Sequence, residues 1–153
     1  MTASQPERSA VPELLDRFGS AKHPERPAAH QRPAGVDDAT VEAVGQLSAA
    51  LEVAEDARGA LYRFHRLSGT ADLAAQDALA ALRAAGHAQI ADVLDEVLIG
   101  RDVAPGMWTF QLVEHYDAHY LDVFRACEQA VRADLGFSAP HVAEAEMKVR
   151  EQS

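Results

Sequence analysis

Apolar residues recur along this chain at intervals of three and four from about residue 37 onward, the spacing of one face of an α-helix. Val44, Leu47, Leu51, Ala54, Arg58, Leu61 and His65 form the first such stripe, flanked by Tyr62 and Phe64. Asp37 and Asp38 suit its start, through capping and the helix dipole, and Gly69 is placed to end it after Ser68. A second helix is expected from Thr70 and Asp72 through Leu73, Leu79 and Leu82 to a stop near Gly86. A third runs from about His87 to Ile99, with Ile90, Val93, Leu94, Val97 and Leu98 inward and Gly100 as its stop. Arg101 to Met107 reads as a loop, because Pro105-Gly106 is a type II turn signal. The last long helix runs from Trp108 to Leu135, and Gly136 with Phe137 carries the glycine-plus-hydrophobe pattern of a Schellman cap. Ser138 and Pro140 introduce a short polar terminal helix.

No segment alternates with a strand period, and there is no internal repeat or Gly-rich phosphate loop. The expected fold is all-α: an antiparallel helical bundle of two long and two shorter helices, with a disordered N-terminal tail and a short C-terminal helix. The bundle domain spans 37–153. Residues 1–36 hold five of the seven prolines and no sustained period, so they bury too little surface to offset their ordering entropy. One amphipathic segment, residues 11–18, interrupts that tail with Val11, Leu14, Leu15 and Phe18, and Pro12 suits a helix start. It either folds back on its own domain or docks into a partner's groove.

Composition narrows the function classes. The net charge is −10 over 153 residues, and the first 35 residues carry +1 of it, which leaves −11 on the helical part. An acidic domain without a basic patch repels phosphate backbones, so no nucleic-acid partner is expected. No apolar run reaches the length of a membrane span, so no membrane partner is expected either. The polar start MTASQPERSA and the lone Cys127 fit a cytoplasmic, reducing location. Alanine, with 31 residues, makes up much of the apolar content and favours helices while burying little surface.

The chemistry-bearing residues cluster in EHYDAHYLD. Helical bundles hold iron, zinc or manganese through inward Glu, Asp and His at i, i+3 or i+4, and His115, His119 and Asp122 meet that spacing. His65 on the first stripe is placed to add a ligand from across the bundle, and Asp92, Asp95 and Glu96 are further candidates. Angles count against a metal: Val113, Tyr116, Tyr120, Val123, Phe124, Cys127 and Val131 define the expected core face, with His119 and His115 on its flank. The Glu-x-x-His pattern of di-iron bundles is absent. Arg58 and His65, seven residues apart on an inward stripe, pose a second question. Either Arg58 pairs with an acidic residue of a facing helix (Asp95, Glu96 or Asp117), or Arg58, Tyr62 and His65 hold a small anionic ligand. Cys127 reads as a small buried hydrophobe without a local sign of activation.

The strings GRDVAPGMWTFQLVEHYDAHY at 100–120, HRLSGTAD at 65–72 and HVAEAEMK at 141–148 resemble a group of small uncharacterised actinobacterial all-helical proteins. The resemblance covers most of residues 40–148. It implies shared Gly-Arg, Pro-Gly and Trp-Thr-Phe-Gln elements and an acidic residue at Glu114, and it implies no requirement for histidine at 115 and 119. It carries over no activity and no catalytic residue. It draws attention to Arg101, Trp108, Gln111 and Glu114, where Thr109 and Gln111 are placed to cap or brace the preceding loop.

With no nucleophile–base pair and no phosphate loop, the chain reads as non-enzymatic, acting through protein contacts with a partner or as a homodimer. A metal-binding bundle built on His115, His119, Asp122 and His65 is the alternative, and a small-anion pocket around Arg58 and His65 the second.

Overall fold

In a computed structural model, residues 11, 13–22 and 28–152 are described. The fold is an all-α antiparallel bundle, and among the described residues the one extended pairing is a bridge between Ala104 and Met107. Its helices are α1 (Glu13–Phe18), α2 (Asp38–Ala84), α3 (Ala88–Leu98), α4 (Thr109–Tyr116), α5 (Asp122–Asp134) and α6 (Val142–Gln152). A π-helical turn, Asp117–Leu121, joins α4 to α5 without a break. Helix α2, 47 residues long, is the spine. Helices α3, α4 and α5 lie antiparallel along it, and α6 packs on its N-terminal part.

The caps are those the residues dictate. Asp37 accepts a hydrogen bond from the Thr40 N–H at 2.8 Å and starts α2. Gly86, at φ 87°, ends it, with the His87 N–H bonded to the Leu82 carbonyl. Gly136, at φ 76°, does the same for α5: the Phe137 N–H reaches the Arg132 carbonyl and the Phe137 ring is buried. Met107 N–H closes on the Ala104 carbonyl at 2.9 Å around Pro105-Gly106, as the turn signal predicts.

Gly69 does not end a helix. The first and second expected helices are one, because a glycine inside a helix costs only about 1 kcal/mol and nothing else there stops the ladder. Ser68 and Thr70 turn their hydroxyls back onto the Phe64 and Arg66 carbonyls. Asp72, expected to start a new helix, instead accepts the Gly100 N–H at 2.8 Å and fastens the end of the α3 segment to mid-α2.

The core is thin. Val41, Val44, Phe137 and Val142 form its main cluster, under α6, with Val36 and Ala143 against it. Gly45 lets α6 approach closely: a Cβ there would lie 2.9 Å from the Ala143 Cβ. Of the segment expected as tail, residues 28–36 are tied down. His30 Nδ1 sits 2.7 Å from the Pro140 carbonyl, and Arg32 makes two bonds to Glu146 at 2.9 and 2.7 Å. Helix α1 forms where the amphipathic segment predicts it, with Leu14, Leu15 and Phe18 exposed, and just beyond it the Ala21 carbonyl accepts a hydrogen bond from the Gln152 side chain. Pro12 and most of residues 1–27 on which the tail expectation falls lie outside the described residues.

Candidate functional site

A ladder of polar pairs runs up the seam between α2 and the helices beside it. Ser48 donates to Glu128 at 2.9 Å, and Arg132 clamps the same carboxylate at 2.6 Å. Higher up, Arg58 forms a two-pronged ion pair with Asp117, both bonds 3.0 Å, and its guanidinium lies 5.3 Å from the Tyr62 ring centre. Tyr116 donates to the Ala54 carbonyl, and His65 Nδ1 lies 2.8 Å from the Thr109 hydroxyl. At the far end Arg83 bridges Asp92 and Asp95. Of the three acids proposed for Arg58, the structure selects Asp117.

The charges along this seam are consistent with such pairing. Hydrogen bonds from Arg58 hold the Asp117 carboxyl below the usual carboxylate range. Burial pushes the Glu128 carboxyl up, but the hydrogen bonds from Arg132 and Ser48 outweigh it and hold the group low. Burial pushes the Tyr116 phenol up.

The expected ligand sets separate. Arg58, Tyr62 and His65 do neighbour one another, with the Tyr62 and His65 rings 5.9 Å apart, yet Arg58 faces Asp117 and His65 faces Thr109. His65 instead borders an open cleft of about 760 Å³, together with Arg101, Trp108 and Asp72, and neither Arg58 nor Tyr62 lines it. His115 and His119 are exposed, their ring centres 5.3 Å apart, beside Gln111 and Glu114 in a shallow depression. Asp122 pairs with Arg125 at 3.4 Å. Among the described residues no three His, Cys, Asp or Glu side chains converge on a point that could hold a metal ion. Gln111 does brace the preceding loop: its side-chain oxygen accepts the Trp108 N–H at 2.8 Å. A second cleft, about 620 Å³, lies between α2 and α6, and on its wall Glu144 Oε2 is buried without a hydrogen-bond partner among the described residues.

The expected core face of the last long helix is not the buried one. Val113 is buried and Tyr116 and Phe124 are half-buried, but Tyr120, Val123, Cys127 and Val131 are exposed, while Leu121 and Glu128 are buried. The π-helical turn explains the difference. One extra residue enters the helix there, so everything beyond it is turned by about 100° relative to a continuous α-helix. Between the Ser48–Glu128 and Arg58–Asp117 pairs, ten steps on α2 match eleven on the facing chain. Glu128 and Arg132 of α5 therefore face α2 beside the half-buried Phe124, and Val123, Cys127 and Val131 face away.

The same inversion recurs beside it. Helix α3 buries Ala91 and leaves Ile90, Val93, Leu94, Val97 and Leu98, all expected inward, outside. Helix α2 exposes a second stripe, Val53, Ala57, Ala60, Phe64 and Leu67, about 100° from the positions that meet its neighbours. Two ion pairs mark one side of the seam, Arg125–Glu55 and Arg83–Asp92. Around each helix these charged residues and the exposed apolar ones lie in opposite senses from the seam. Because α3 and α5 run antiparallel to α2, those senses fall on the same sides of the layer. The layer thus has a charged side and an open apolar side. Trp108 and Phe110, stacked edge to face at 5.4 Å, add exposed aromatic surface at the start of α4.

Sequence reasoning missed Ser48, Glu128 and Arg132. A signal existed, since Glu128 and Arg132 stand at i, i+4 and Ser48 lies between apolar stripe positions. Compared with protein-family models, curated proteins and solved structures, the chain matches none of them.

Proposed function

We propose that this chain is a non-enzymatic helical protein of the cytoplasm that works through protein contacts, and that the open apolar side of its helical layer is the working surface. One observation carries the reading: α5 turns Glu128 and Arg132 onto its own domain and presents Val123, Cys127 and Val131 outward. Burying apolar area contributes about 25 cal/mol per Å², so a free helix gains nothing from this orientation and a covered one gains a great deal. The net charge of −10 supports a protein partner over nucleic acid. Among the described residues no helix is long and apolar enough to cross a membrane.

Cys127, the single cysteine, is a built-in probe of that surface. Its labelling by a small thiol reagent is to be compared in expressing cells and in dilute purified protein. Protection in cells with full reactivity after purification supports the reading. Equal, full reactivity in both overturns it.

A further inference from the structure

Resting on that contact reading, we propose that the partner is a second copy of this chain, paired antiparallel through α2 about a two-fold axis at Ala60. The outer stripe of α2 is complementary to itself in an antiparallel pairing. With residue 60 on the axis, Val53 of one copy is level with Leu67 of the other, and Phe64 falls within one residue of the small Ala57. Asp56 and Arg63 flank this stripe, and among the described residues neither has a partner within its own chain. The same register brings Asp56 of each copy to within one residue of Arg63 of the other, twice over. A parallel, in-register pair would instead oppose Asp56 to Asp56, Arg63 to Arg63 and Phe64 to Phe64.

Position and extent agree with the charges. Ala60 stands one residue from the middle of α2, which runs from Asp38 to Ala84, so antiparallel copies overlap along nearly all of it. At 1.5 Å per residue that overlap is about 70 Å, and the exposed stripe from Val53 to Leu67 occupies its middle ~20 Å, with the apolar sides of α5 and α3 alongside. The pairing lays α5 of one copy over the 100–108 loop and α3 of the other, covering Cys127. The net charge of −10 on each copy opposes association, which leaves apolar burial and the two Asp56–Arg63 pairs to drive it.

The test is sedimentation equilibrium of the full chain over a wide concentration range, with Cys127 labelling on the same samples. A dimer mass is expected, with labelling slowing as concentration rises. Asp56→Arg and Arg63→Asp should each weaken self-association by about tenfold or more, and the two variants mixed should form a heterodimer tighter than either alone. In a Cys127→Ser background, Ala60→Cys should oxidise to a disulfide-linked dimer, a readout that needs no destabilising change. A monomer at every concentration, with Cys127 always reactive, overturns the self-pairing. If Cys127 is nevertheless protected in cells, the contact reading stands with a different partner. A dimer whose charge variants show no preference for one another, and which Ala60→Cys does not link, overturns the axis.

Discussion

Ser48 and Glu128, 80 positions apart in the chain, are joined by a 2.9 Å hydrogen bond in which a buried hydroxyl donates to a buried carboxylate. Arg132 holds the same carboxylate from one turn along α5. These three side chains fix which face of α5 meets α2.

That arrangement sets an acid dependence. The Glu128 carboxyl titrates below its unfolded value of roughly 4.3, so its contribution to stability is complete above that value and is lost as pH falls through the lower, folded one. The thermal midpoint of the parent should fall more steeply between about pH 5 and pH 3 than that of Glu128→Gln, which cannot titrate. Parallel pH profiles by circular dichroism would show the pairing to be unimportant. At neutral pH, Glu128→Ala should cost about 2 kcal/mol, because it strands the Arg132 guanidinium.

Arg58 and Asp117 are each about a third exposed, so their pair belongs with modest ones despite its two-pronged geometry. A double-mutant cycle with Arg58→Ala and Asp117→Ala should yield a small favourable coupling in urea unfolding. Arg58→Lys should lose most of it, since an ammonium cannot match both carboxylate oxygens.

The crossing of α6 over α2 depends on the missing side chain at Gly45. Gly45→Ala gains helix propensity of about 1 kcal/mol, yet its Cβ would meet that of Ala143 at 2.9 Å. Overpacking of this kind typically costs about 1–3 kcal/mol, so the variant should be less stable than the parent or close to even. Gly45→Val should be clearly destabilised. A Gly45→Val chain as stable as the parent in chemical denaturation would mean that α6 does not pack there.

The π-helical turn holds one residue more than an α-helix needs. Deleting Ala118, which is exposed, should restore regular α-helix while Asp117 and Leu121 keep their places on either side. Helical signal and Glu128–Ser48 contact should survive, with amide exchange in 117–121 slowed. A collapse of stability would show that the chain uses the turn for more than register.

For the exposed His115–His119 pair, plasma mass spectrometry after dialysis against a chelator should find little zinc, iron or manganese, because two imidazoles on an exposed helix face make a weak site. Near-stoichiometric metal lost in His115→Ala/His119→Ala would reverse that expectation.

Helix class, caps and several loop closures were legible in the residues alone. Asp37, Gly86, Gly136 and Pro105-Gly106 act through interactions within a few positions, which local spacing encodes. The expected stop at Gly69 failed for a related reason. A glycine permits a helix end, but whether the chain takes it depends on neighbours that continue past the point. The pairing of Arg58 could be narrowed to three acids and no further, since the choice rests on which helix lies opposite.

By itself, then, the sequence determined an all-α chain with amphipathic helices, because periodicity and local capping are short-range properties, and a net charge of −10. Only the tertiary structure decided which apolar face is covered. A continuous α-helix from Trp108 would have put Tyr120, Val123, Cys127 and Val131 inside, and one π-helical turn at 117–121 rotates them out and brings Glu128 in. No count of threes and fours reveals that turn. It is settled by Ser48, Arg58 and Ala54 on the facing helix, where Glu128, Asp117 and Tyr116 find their partners.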